Sequence, residues 1–173
     1  MGKQIVLCVE ADCRSATDNI YIKNTIKRFY HFGKDIRLSF VNMNGKTNYM
    51  ANKVLKEVRQ YISDYKNGPT TVIYCIDLDR YDSNPNQAGI NSGIEDFLRL
   101  NKYELIWFCR DIEEVYLGQS ADKSEKTKLA LEFAKKEAIR TVDEQKLKRT
   151  AVKRGSSNIL NVLDKHLVRK EKK

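Results

Sequence analysis

The sequence predicts an α/β fold: a central, mainly parallel four-stranded sheet flanked by helices, with a basic helical C-terminal appendage. Three observations predict it. Apolar runs alternate with helical patterns through the first two thirds of the chain, as βαβ crossovers require. The runs are continuously apolar, as strands buried on both faces are. Acidic residues follow three of the four runs, which a parallel arrangement gathers at one edge of the sheet.

The elements follow in order. Residues 4–9 (QIVLCV) read as the first strand. Over residues 18–31, Ile22, Ile26, Phe29 and Tyr30 fall at helical spacing. Residues 36–41 (IRLSFV) form the second strand. The clearest helix carries Met50, Val54, Val58, Tyr61, Ile62 and Tyr65 and ends before Asn67-Gly68-Pro69. The third strand covers residues 71–77, rich in β-branched and aromatic side chains. Ile90, Ile94, Phe97 and Leu98 mark the next helix, and residues 103–109 the fourth strand. Within residues 124–142, Leu129, Phe133 and Ala134 repeat at helical spacing among lysines. A last helix is expected to start near Ser156 or Ser157 as N-cap and to carry Ile159, Leu160, Leu163 and Leu167. The division this implies is an α/β domain over residues 1–121 and a basic helical extension over residues 122–173.

Composition narrows the classes. With 173 residues, 41% of them hydrophobic, the chain can bury one ordinary core. It has no apolar run long enough to cross a bilayer, and its first residues lack a signal-peptide layout, so a cytoplasmic protein with no membrane partner is expected. Cys8, Cys13, Cys75 and Cys109 show no paired CxxC spacing, which argues for reduced, structural thiols and against a zinc site. Charge is uneven. Residues 1–121 hold 16 Lys and Arg against 15 Asp and Glu, a net of +1, whereas residues 122–173 hold 16 against 8, a net of +8. That asymmetry points to a polyanion, nucleic acid before membrane, with a solvated helical face as the open alternative.

The acids carry the chemistry. Asp77 and Asp79 stand at the exit of the third strand and share one direction if strand geometry persists. Glu10 follows the first strand, and Asp111, Glu113 and Glu114 follow the fourth. Acids that only solubilised loops would be scattered over both ends of the sheet. Convergence at one edge favours a hard divalent cation, which needs several oxygen ligands. Neither His31 nor His166 falls near this edge.

These residues resemble the signature of the Toprim family, a Rossmann-like domain of topoisomerases, primases and overcoming-lysogenization-defect nucleases. The nearest resemblance is to the RloB-like branch linked to anti-phage loci. Glu10 looks like its first acid and Thr17-Asp18 with Tyr21 like its helix start. Asp77-Leu78-Asp79-Arg80 looks like its paired-acid element, and Glu114-Val115-Tyr116-Leu117 like its last. Arg110-Asp111-Ile112-Glu113 fits a related Arg-Asp-Ile-Glu form, so Glu113 and Glu114 both stay open as the metal-facing acid. The resemblance covers residues 4–118 and departs at Ala11, where the family carries Gly.

What the resemblance implies is a Rossmann-like Toprim domain and a nuclease dependent on Mg²⁺ or Mn²⁺. Glu10, Asp77 and Asp79 would be catalytic, with Glu113 or Glu114 completing the metal set. Arg80 and Arg110 would meet the phosphate, Arg80 having a salt bridge to Asp82 as its alternative. Tyr81 is the one aromatic to consider for substrate contact. Lys123, Lys126, Lys128, Lys135 and Lys136 would track a DNA or RNA backbone. The other reading is a non-catalytic binding or sensor subunit beside a partner ATPase, since the chain has no GxxxxGK[ST] of its own. A receiver-like phosphoacceptor fits less well, lacking paired acids after the first strand and a Lys after a fifth. A homodimer is left open.

Overall fold

A computed structural model describes residues 2–171. It contains a five-stranded, mostly parallel sheet flanked by helices. The strands are β1 (Lys3–Val9), β2 (Ile36–Asn42), β3 (Thr70–Asp77), β4 (Glu104–Cys109) and β5 (Ser156–Ser157), in the order β2-β1-β3-β4-β5. The first four are parallel and β5 is antiparallel to β4. The helices are α1 (Thr17–Phe29), α2 (Asn52–Asp64), α3 (Pro85–Asn101), α4 (Ile112–Leu117), α5 (Lys126–Lys135), α6 (Glu144–Leu147) and α7 (Ile159–Leu163).

Strand alternation sorts the core into two faces. Ile5, Leu7, Val9, Ile73, Cys75, Ile106 and Phe108 face one side with α1, and Val6, Cys8, Val72, Tyr74, Ile76 and Trp107 face the other with α2 and α3. This is why the strand runs are continuously apolar. Val54 and Val58 bury one stripe of α2, while Met50 and Ile62 from the same pattern stay exposed. Asn84 caps α3 by accepting from the N–H groups of Asn86 and Gln87, with Pro85 at the first turn.

Three expectations change. First, the sheet has five strands, not four. Ser156 and Ser157, expected to cap a helix, pair with Cys109 and Phe108, while Ser157 Oγ also accepts from Ile159 N–H (3.1 Å) at the start of α7. The residue before α7 is Asn158, whose side chain accepts from Trp107 N–H at 2.9 Å and donates to Leu105 O at 2.9 Å, extending the pairing with β4. Second, the helix expected over 124–142 stops at Lys135. Glu137 takes a left-handed conformation (φ 49°), and a short 3₁₀ turn follows over Ala138–Thr141. Third, the C-terminal residues are a layer of the core rather than an appendage. Phe133, Ile139, Leu147, Ile159, Leu160, Leu163 and Leu167 are buried in one cluster with α1, β1, β3 and β4. Phe133 lies against the rings of Tyr21 (5.0 Å) and Tyr116 (5.6 Å). No helix of the described residues is long and apolar enough to cross a membrane.

Candidate functional site

Four carboxylates, whose charges act on one another, lie along the C-terminal edge of the sheet. Glu10 follows β1, Asp18 opens α1, Asp77 ends β3, and Glu113 lies in the first turn of α4. The Asp77 N–H donates to Glu10 Oε1 at 2.7 Å, so Glu10 reaches across the crevice between β1 and β3. The chain runs outward from β1 to β2, then returns past β1 to β3. That makes this crevice the switch point of the sheet, the place where open α/β folds bind ligands. Asp18 Oδ2 accepts from Ala11 N–H at 2.9 Å and pins the loop between β1 and α1. Glu113 is wholly buried. One of its oxygens accepts from Lys126 Nζ at 2.8 Å, and its Oε1 has no hydrogen-bond partner.

The electrostatics follow from burial among like charges. Burial raises Glu10 to about 8, against the Asp77 N–H bond and the Lys46 charge, which pull it down. Burial pushes Asp77 well above the carboxylate range, reinforced by the charges of Glu10, Asp18 and Glu113 and opposed by Lys126. Asp18 and Glu113 are raised for the same first reason. For Lys126, burial works to lower the ammonium, but the bond to Glu113 and the charges of Glu113, Asp77 and Asp111 outweigh it, so it is raised.

The structure separates residues that the sequence groups. Strand geometry ends at Asp77, and Asp79 is left-handed (φ 52°), so the two acids do not stay in register. Asp79, about half exposed, pairs with Lys46 Nζ at 2.5 Å, and its charge still acts on Glu10. Because successive residues of a helix point about 100° apart, Glu113 and Glu114 part company in α4. Glu113 joins the acidic cluster, while Glu114 pairs with Arg154 (2.5 Å) and lies near Ser120 (3.4 Å). Asp111 caps α4 through Glu114 N–H at 2.7 Å. Arg80 is exposed and Arg110 half-buried, and no ion pair joins Arg80 to Asp82 among the described residues. Tyr81 packs against the core face that holds α2 and α3. Lys123, Lys128, Lys135 and Lys136 are exposed before, on or just after α5, whereas Lys126 pairs with Glu113.

Two residues of the site carry no chemical role in the sequence pattern. Asp18 reads there only as a helix start. Lys46 is nearly buried and donates to the Asp77 carbonyl at 2.7 Å as well as to Asp79. Its signal lies in Asn44-Gly45-Lys46, a turn at the same sheet edge, with positive φ at Asn44 and Gly45.

The donor types fit a hard divalent ion: carboxylates without His or Cys, one of them offering a buried, unpartnered oxygen. The spacing is looser than a finished metal centre. Among the described residues, no three His, Cys, Asp or Glu side chains are gathered closely enough to hold an ion. Lys46 and Lys126 supply the neutralising charge instead. No family model matches this chain, nor does any curated protein or solved structure.

Proposed function

We propose that the crevice between β1 and β3 binds Mg²⁺ or Mn²⁺ and serves hydrolysis of nucleic-acid phosphodiesters, in a Toprim-like, RloB-like protein of anti-phage defence. The observation that supports this is the electrostatic coupling of Glu10, Asp18, Asp77 and Glu113 along the switch-point edge, with Glu113 Oε1 unpartnered. Asp77 and Glu113, flanked by Glu10 and Asp18, would hold the ion. When bound, it supplies charge neutralisation on the phosphate and a hydroxide near neutral pH. Glu10, raised to about 8, is suited to take up or return a proton near neutrality. Arg80 and Arg110 flank this edge as phosphate partners.

Calorimetry with Mn²⁺ tests the reading. Wild type should bind, and the double variant Asp77→Ala with Asp79→Ala should not. Nuclease assays on DNA and RNA follow, with cleavage expected to require the ion. Absence of Mn²⁺ binding by wild type at millimolar metal would sink the autonomous nuclease.

One observation favours a second reading. Two lysines already neutralise the acids, and no three-donor group is assembled among the described residues. A non-catalytic Toprim-like subunit acting beside a partner ATPase needs no more than this.

Both readings use the exposed lysines of α5 as a nucleic-acid surface. Reversing Lys128, Lys135 and Lys136 to Glu should weaken duplex binding across sequences alike. It should also lower the slope of log K against log salt by roughly 0.9 for each phosphate no longer neutralised. An unchanged slope in filter binding would remove α5 from the interface.

A further inference from the structure

Strand β2 is an open edge. It is the last strand on its side of the sheet, and among the described residues no strand pairs with its outer side. Edge strands are commonly short, bulged or interrupted by proline, which keeps them from pairing with another chain. β2 has none of these devices. Its seven residues, IRLSFVN, run beside β1 without a break from Lys3 opposite Ile36 to Val9 opposite Asn42. The bonds at its two ends fix which groups are free. Lys3 N–H donates to Asp35 O and Met43 N–H to Val9 O, both at 2.8 Å. Successive residues of a strand turn their backbone groups to opposite sides, so the odd-numbered residues of β2 bond to β1. Leu38 and Phe40 therefore direct N–H and C=O outward.

The face beside this edge is open as well. Leu38 and Phe40 lie on the α1 side of the sheet, where they are only half-buried. Together with Ile26, the exposed Phe32, Lys23 and Lys27 they line a groove of about 420 Å³. The pattern of β2 suits it to pair with itself. An antiparallel pair centred on Ser39, the middle of the strand, uses all seven residues and sets Leu38 of each copy opposite Phe40 of the other. Both are apolar, share a face and have outward backbone groups, as a hydrogen-bonded cross-strand pair requires. Arg37, the one charged residue of the strand, falls opposite Val41, so no like charges meet across the ladder.

We propose that the chain forms a two-fold dimer in which two β2 strands pair antiparallel and join the two five-stranded sheets into one. A two-fold axis is the commonest symmetry of identical subunits, and here it closes both open edges at once. Because the paired strands run in opposite directions, the two crevices between β1 and β3 open at opposite ends of the joined sheet. The dimer needs no metal ion and stands or falls apart from that reading.

Sedimentation equilibrium of the full chain tests the pairing. Wild type should rise from 20.1 kDa toward twice that mass over about 10–200 µM, as suits an interface of one strand and its flank. Leu38→Lys sets an ammonium opposite Phe40 and near the Lys23 that lies over that ring at 5.0 Å, so association should weaken about tenfold or more. Arg37→Ser, facing Val41, should dimerise as wild type does. A constant 20.1 kDa for wild type would overturn the dimer and leave the groove, with its two lysines, to an acidic peptide of another protein. Unweakened association of Leu38→Lys would overturn it too, by placing the contact on another surface. Should Leu38→Lys fail to fold, hydrogen exchange in wild type decides. The Leu38 and Phe40 amides should exchange more slowly at the high concentration than at the low one, and equal rates overturn the pairing.

Discussion

A chain ending at Ala121 will not fold cooperatively. The removed residues include Ala130, Phe133, Ile139, Leu147, Ile159, Leu160, Val162, Leu163 and Leu167, all buried in the core face that holds α1. They also include β5, which covers the outer edge of β4. At roughly 1.5–3 kcal/mol for each large apolar side chain taken out of water, their loss exceeds the whole stability of a typical domain, about 5–15 kcal/mol. The cut also leaves Tyr21, Tyr116 and Phe108 facing water. Denaturant unfolding followed by circular dichroism should show no sharp transition for residues 1–121. In the full chain, Phe133→Ala should cost about 3–5 kcal/mol, since its ring packs against two tyrosines. A steep two-state melt of the truncated chain would show that the C-terminal residues are an appendage after all.

Metal-free protein will lose stability as pH rises from about 5 to about 8, and Glu10→Gln will flatten that loss. The folded state holds Glu10 at about 8, above its unfolded value of 4.5, so across this window the folded state keeps a proton that the unfolded state has released. Raising the pH then favours unfolding. Below the window both states are protonated and above it both are ionised, so the dependence levels off. Asp77, Asp18 and Glu113 are raised and act with the same sign. Burial works to raise Glu104 and Asp164, but their Lys, His, Arg and Tyr partners outweigh it and lower both. Their stabilisation is lost only on acidification below the window. Lys126 is raised and acts above it. Glu10→Gln keeps an acceptor for the Asp77 N–H while removing the charge. The difference between the two proteins should amount to roughly 2 kcal/mol across the window, allowing for partial solvent screening. Urea midpoints at the two ends of the window measure it, and parallel profiles for both proteins would show that Glu10 ionises freely.

Several features are legible in the sequence because they are local. Continuous apolar runs and an i, i+4 stripe are set within a few residues, so β1 to β4, α1 and α2 emerge from the sequence to within about two residues at most ends. The gathering of Glu10, Asp77 and Glu113 at one edge is also legible, since parallel strands all deliver their exits to the same side. A two-residue antiparallel strand such as Ser156–Ser157 has no such pattern: two polar residues carry no alternation to read. The stripe of Leu129 and Phe133 announces a buried face but not what Phe133 is buried against.

The alternating α/β plan and the acidic edge follow from periodicity and chain direction alone, so both can be read before any packing is known. Which acids stand near one another depends on packing between distant elements. Asp79 leaves strand register through a left-handed backbone to meet Lys46, and helix α4 sends Glu113 inward and Glu114 toward Arg154. Lys126 reaches the cluster from a different element, and Lys46 from another. The reason is physical: a charge is stabilised by whatever stands within a few ångströms of it, and that neighbourhood is assembled from distant parts of the chain.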